Sequence, residues 1–284
     1  MYLKTTLLLA GMTGLLMVLG QLLGGQSGME LMLIFSIIMN FSTYWFSDKI
    51  ILSSYGAREV TQLEEPALVG RVDRLAKSAG LPTPKVCIID TEMPNAFATG
   101  RSPNHAAVAV TTGLLRALNS DELDGVLAHE LGHIKNRDIL IATIVAALAG
   151  VITMVAYVAK WGMIFGGSRR DGEGNGGIGA LVMIIVAPIA ATLIQLAISR
   201  TREFAADEAG AKISNKPLAL ASALNKIDGM ARRKVMPEAG TSTAHLFIIN
   251  PLSGSQEAIS NLFRTHPSTE ERITRLEKMA RGVF

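Results

Sequence analysis

The sequence predicts an α+β membrane protein, mainly α-helical, with four hydrophobic spans and a small β-sheet in a polar part that lies outside the bilayer. Three observations carry this. The mean hydropathy of the 284 residues is +0.34, too apolar for an ordinary soluble protein. The apolar residues gather into four long runs. Two short β-branched runs stand just before a polar helical stretch centred on His129-Glu130-Leu131-Gly132-His133. A formal charge of +3 and a pI near 9.0 are mild, and Lys and Arg are scattered rather than striped, which argues against a nucleic-acid partner. The single cysteine, Cys87, excludes an intrachain disulfide and fits a reducing compartment. It reads as a small core residue of the strand Val86-Cys87-Ile88-Ile89.

Thr5 to Leu23 carries no charge, and after Gly24-Gly25-Gln26-Ser27-Gly28 a second apolar run extends from Leu31 to Phe46. Each approaches the length that crosses hydrocarbon, and the close succession favours a retained hairpin over a cleaved signal peptide. Tyr44-Trp45-Phe46 falls where an aromatic belt belongs, and Lys49 and Arg58 place the following residues in the cytoplasm. Pro66 opens a helix through Leu68, Val72 and Leu75 to Gly80, and Val86–Ile89 and Ala106–Thr112 read as strands. With Asn95-Ala96-Phe97-Ala98-Thr99-Gly100 they make a sheet of two or three strands. Asn119 or Ser120, followed by Asp121 and Glu122, starts the helix that carries the His-Glu-x-x-His motif. Lipid-type sequence then runs from Ile139 to about Ala159. A glycine-rich loop, 166–177, separates it from a fourth run, Ile178 to Ser199. The expected division is a transmembrane hairpin at 1–47, a cytoplasmic catalytic part at 48–138, a second hydrophobic hairpin at 139–200 and a second cytoplasmic part at 201–284.

With five His and fifteen Glu, a shuffled chain of this composition contains His-Glu-x-x-His only about 0.005 times. On a helix, i and i+4 share a face, so His129 and His133 can close on one metal ion with Glu130 beside it, the arrangement of a zinc peptidase. Catalytic zinc takes three protein ligands and an open position. Position 139 is Ile, which excludes a third His six residues after His133, and no Glu lies about twenty residues on. Glu203 follows the fourth run. Two crossings return the chain to the face it left, so Glu203 is the expected third ligand. Asp207, one turn further, could accept a hydrogen bond from a ligand histidine. The competing reading makes Glu203 and Asp207 surface ion pairs with Arg202 or Lys212, and Glu208, His245 and His266 remain alternative ligands.

At Glu203-Phe204-Ala205-Ala206-Asp207, together with His129–Asp138, the chain resembles the membrane zinc metalloproteases that comprise the bacterial heat-shock proteases and, more distantly, the CAAX prenyl proteases. The likeness extends to Asn95–Ala98, His245–Leu252 and Thr265–Ile273, and so covers nearly the whole chain. It implies a zincin-like catalytic domain with one Zn2+ per chain, held by His129, His133 and Glu203, with Glu130 as the catalytic carboxylate. His266 and Arg272 match family positions near the substrate, the His helping to hold the oxyanion. His266 reads equally as the cap of a terminal helix with Pro267 at its first position. The 166–177 loop matches no family motif.

The resemblance also implies an integral protein of the bacterial cytoplasmic membrane that acts in stress response and quality control. Its partners would be polypeptides, misfolded membrane proteins foremost, and the lipid bilayer, with a homo-oligomer left open. Asn95, Ala96, Phe97 and Ala98 are the expected edge against which an extended substrate adds as a strand. Two other function classes compete besides the CAAX-type protease: an intramembrane protease and a non-catalytic scaffold stapled by zinc. Charges flanking the motif, from Asp121 to Asp138, place it outside hydrocarbon and argue against the intramembrane protease. A stapled scaffold would close its site with four ligands and leave Glu130 without a task.

Overall fold

The computed structural model describes residues 2–145, 200–233 and 267–282. Most of spans three and four, the 166–177 loop, His245 and His266 lie outside them.

Helix α1 (Tyr2–Ser54) is two helices joined at Gly25, whose φ of 62° and ψ of −147° break the helical path. The five-residue turn expected between the first two spans is thus compressed to one glycine, free of the penalty a Cβ would bring at positive φ. The two halves fold back on each other. A Cβ on Gly20 would lie 2.4 Å from the Gly28 carbonyl oxygen, so backbone meets backbone there. Further along, Asn40 donates to Thr13 Oγ1 at 2.9 Å and to the Leu9 carbonyl at 3.3 Å. Gly24–Phe46 is long and apolar enough to cross a membrane, and Leu9–Val18 is a shorter apolar stretch. Among the described residues one helix meets the span criterion, where the sequence predicts four in all.

Among the described residues the sheet has four strands, β1 (Arg58–Val60), β2 (Lys85–Ile89), β3 (Ala96–Ser102) and β4 (His105–Thr111), in the order β1-β2-β4-β3. It is mixed: β2 and β4 run parallel, and the two outer pairs are antiparallel. β1 has only three residues and no apolar alternation, which is why the sequence does not signal it. Successive side chains go to opposite faces. Val86, Ile88, Ala98, Val108 and Val110 enter the main core with Leu68, Val72 and Leu75 of α2 (Pro66–Ala79) and Val126, Leu127 and Leu131 of α4 (Ser120–Lys135). Cys87, Ile89, Phe97 and Ala109 pack on the other face against Ile51 at the end of α1. Both faces are covered, so the strands read as continuous apolar runs.

Helix α2 begins at Pro66 and ends at Gly80, left-handed at φ 71°, as its sequence signals require. A short helix α3 (Thr112–Ala117), capped by the Thr111 hydroxyl, takes Thr112 from the predicted strand. Asn119 caps α4 in a capping box with Glu122. α4 ends where Arg137 adopts φ 58°, and 139–145 are again helical. Helices α5 (Arg200–Ser214), α6 (Pro217–Arg233) and α7 (Thr269–Ala280) complete the described fold. Ser268, not His266, caps α7: its hydroxyl accepts from the Glu271 N–H at 3.1 Å, placing Pro267 before the helix.

Candidate metal centre

Helix α4 carries His129, Glu130 and His133, and α5 packs along it closely enough to deliver an acid to the same point. Glycine makes that approach possible. A Cβ at Gly210 would lie 2.8 Å from the His129 backbone nitrogen, and one at Gly132 would lie 2.9 Å from the Ala206 carbonyl oxygen. With both positions small, Glu203 reaches the imidazoles: its carboxylate oxygens are 3.8 Å from His129 Nε2 and 3.7 Å from His133 Nε2. The two Nε2 atoms are 3.1 Å apart.

Bonds of about 2.0–2.2 Å at tetrahedral angles separate ligand atoms by about 3.3 Å, so these spacings fit one metal ion. The three residues offer donor atoms all within 4.8 Å of one another, the only such cluster among the described residues. The remaining ring nitrogens strengthen the fit. His129 Nδ1 meets Asp207 Oδ1 at 2.9 Å, and His133 Nδ1 meets Asp138 at 3.1 Å. A carboxylate on each Nδ1 favours the tautomer with its proton there and leaves Nε2 free as a ligand.

Behind this layer lies Arg272 of α7, 2% exposed. It donates from Nε and Nη2 to the two oxygens of Asp207 at 2.8 and 2.7 Å, and its Nη1 is 3.5 Å from Glu203. The guanidinium is thus packed against Asp207 and Glu203. Burial alone would raise the Asp207 carboxyl, but the charge and hydrogen bonds of Arg272, followed by His129, hold it well below the usual carboxylate range. Arg272 is held correspondingly high by Asp207 against the opposing effect of burial. At His133 burial works against the charged ring, yet Asp138 and then Glu203 and Glu130 push it up to about 10.

Glu130 is buried, and burial is the main cause that raises its carboxyl, with the two imidazoles opposing. Its Oε2 accepts the Ala98 N–H of β3 at 2.8 Å. That bond ties the acid to the outermost strand of the sheet. Asn95 is buried just before that strand, its backbone bonded to Thr111. Glu208 points elsewhere and pairs with Lys212. The surface-pair reading of Asp207 therefore fails, because Arg272 holds it in the interior.

Sequence reasoning missed Asp138 as the partner of His133, and it missed Thr143. The Thr143 hydroxyl accepts from the Gly100 N–H at 3.3 Å and meets Thr99 Oγ1 at 3.1 Å. A signal for Asp138 existed, an acid five residues past His133 at the end of the motif helix. Thr143 lies inside a hydrophobic run and gave none.

A motif helix crossed by a second acid-bearing helix, with a sheet edge against the intervening carboxylate, is the layout of a metallopeptidase. The model of peptidase family M48 matches residues 62–280. The Protease HtpX homolog of Thermococcus kodakarensis is 58% identical over 287 residues, covering 100% of this chain and 98% of that protein. The homolog of Aquifex aeolicus is 55% identical over 275 residues, covering 95% and 90%. Among solved structures, S. mikatae Ste24p shares the fold with a TM-score of 0.52 at 18% identity, covering 97% of this chain and 64% of that one. The chain belongs to peptidase family M48 and is a metalloprotease. The resemblance read from its motifs is borne out.

Proposed function

We propose that the chain is a zinc-dependent endopeptidase anchored in a cell membrane through α1, with its catalytic part on the cytoplasmic side. His129, His133 and Glu203 would hold the ion. Asp207 and Asp138 orient the two rings, and Arg272 is a positioning residue that fixes Asp207 and Glu203. The observation that carries the reading is the convergence of three donor atoms from two helices within 4.8 Å.

When bound, zinc supplies a water acidified toward neutrality and a positive charge for the scissile carbonyl oxygen. Glu130 accepts a proton from the attacking water and passes it to the departing amine. Burial raises the Glu130 carboxyl, which favours its taking the proton from the water.

An extended polypeptide would add to the outer edge of β3. Residues two apart present their N–H and C=O to the same edge. Ala98 N–H is engaged by Glu130 and Gly100 N–H by Thr143, so a pairing substrate would use the Ala96 groups and the Ala98 carbonyl, at residues that are buried in the structure. Main-chain pairing tolerates many sequences, which suits clearance of misfolded or damaged membrane proteins. His266 belongs to this proposal only through the sequence resemblance, as a donor to the carbonyl oxygen.

The test uses full-length protein in detergent. Glu130→Gln should retain about one zinc per chain and lower cleavage of an unfolded test protein by roughly 10²–10⁴. His133→Ala should lose both metal and activity. Cleavage by Glu130→Gln near the parent rate would remove Glu130 from the mechanism, and metal without any chelator-sensitive cleavage would support the stapled scaffold.

A further inference from the structure

A cavity of about 440 Å³ lies where the C-terminal end of α1 meets the start of β2 and the β3–β4 turn. That size suits a small ligand. Trp45, Asp48 and Lys49 reach it at i, i+3 and i+4 on the helix, Lys85 from β2, and Arg101 and His105 from the hairpin. Its level in the molecule is informative. The apolar stretch Gly24–Phe46 ends here, Phe41, Trp45 and Phe46 are exposed, and the polar catalytic part begins on the other side. Aromatic and cationic side chains at such a boundary are those that meet lipid headgroups.

The charges favour an anion. Lys49, Lys85 and Arg101 outweigh Asp48 and the neighbouring Glu59, which pairs with Lys85 at 2.7 Å. Lys49 and Arg101 have no carboxylate partner among the described residues. Each is held over an aromatic ring instead: the Arg101 guanidinium is 4.5 Å from the Trp45 ring centre, and Lys49 Nζ is 5.7 Å from that of Phe46. Arg101 also donates to the Trp45 carbonyl at 3.4 Å. Both cations thus stand beside the cavity with donors to spare, and a guanidinium fork matches phosphate oxygens.

We propose that this cavity binds the phosphate headgroup of an anionic phospholipid, with Lys49 and Arg101 on the phosphate and Trp45 and Phe46 alongside the upper acyl chains. The inference rests on the reading that α1 lies in a bilayer, which extraction of membranes at high pH tests separately. Arg101 belongs to β3, the strand that holds Glu130, so an occupied headgroup site would also fix the far end of the proposed substrate edge.

The sequence has two tryptophans, so a Trp161→Phe background leaves Trp45 as the reporter. Full-length protein in neutral detergent is titrated with dioctanoyl phosphatidylglycerol, dioctanoyl phosphatidylcholine and inorganic phosphate, following Trp45 fluorescence. Phosphatidylglycerol should give a saturable change at least about tenfold tighter than the other two. Lys49→Gln combined with Arg101→Gln should weaken it roughly 10- to 30-fold. The charge-keeping pair Lys49→Arg with Arg101→Lys should retain binding, which separates loss of the site from loss of the fold. Equal responses to the two lipids, or unchanged phosphatidylglycerol binding after both cations are removed, would overturn the proposal. Inorganic phosphate binding as tightly as the lipid would assign the cavity to free phosphate and overturn it equally.

Discussion

Asp207→Asn exchanges one oxygen for an amide nitrogen at a point where three groups meet. Asp207 is 3% exposed, accepts two hydrogen bonds from a guanidinium that is 2% exposed, and touches His129 Nδ1 at 2.9 Å. Removing the charge strands Arg272 in the interior with Glu203 at 3.5 Å. Breaking one side of a buried pair costs about 3–5 kcal/mol, a large part of a domain's roughly 5–15. At about 2–4 °C per kcal/mol for a protein of this size, the melting temperature should fall by roughly 6–20 °C. The amide can also turn a donor toward Nδ1 and drive the proton of His129 onto the metal-binding nitrogen. Metal affinity should drop about 10- to 100-fold. Thermal unfolding in detergent, with and without zinc, and competition with a chromophoric chelator read the two effects separately. Replacing both partners, Asp207→Leu with Arg272→Met, removes the stranded charge, so stability should partly recover while metal affinity does not. A single variant that melts within about 2 °C of the parent and binds zinc within about twofold would refute the argument that this pair supports His129.

Gly210→Ala would place a Cβ 2.8 Å from the His129 backbone nitrogen, where only movement of a whole helix can relieve the contact. It should cost about 1–3 kcal/mol and weaken zinc binding by drawing Glu203 away, read by melting temperature and metal content. Asp124 is buried at the junction of α2, α4 and α6. Burial raises its carboxyl, but hydrogen bonds from Lys216 and Arg71 and their charges more than offset this and hold it below its ordinary value. A depressed carboxyl stabilises the fold above its unfolded pKa of about 3.9, and that contribution is lost as pH falls through and below that value. Acid unfolding should therefore begin near pH 4, and Asp124→Asn should be less stable at neutral pH with a flatter acid limb. An unchanged acid limb would exclude Asp124 as a cause.

The motif helix, its Asn119 cap and the Pro66–Gly80 helix were legible because each is set by neighbours within a few residues. His129, Glu130 and His133 were fixed relative to one another by helical periodicity alone. Glu203 could be singled out as well, because so few acids stand at the right end of the hydrophobic detour. The strand Arg58–Val60 was not legible, since three residues carry no period. The cap of α7 lies two residues past His266, because Ser268 meets the N-cap preference, whereas the rule for Pro at a first helical position pointed to His266.

Residue order alone thus singled out the groups proposed to carry the chemistry: two imidazoles on one helical face with a carboxylate beside the first, and a later acid that follows two hydrophobic runs. Only the tertiary structure decided what stands behind and beside them. Arg272, Asp207 and Asp138 gained their places through packing of α7 and α5 on α4 and through the chain reversal at Arg137. Thr143 reached β3 because the helical segment 139–145 lies against the sheet edge. These contacts join residues from 5 positions apart, as in His133 with Asp138, to more than 60, as in Asp207 with Arg272 and His129 with Asp207. Helical and strand periodicities order only near neighbours, whereas burial and charge pairing act through space.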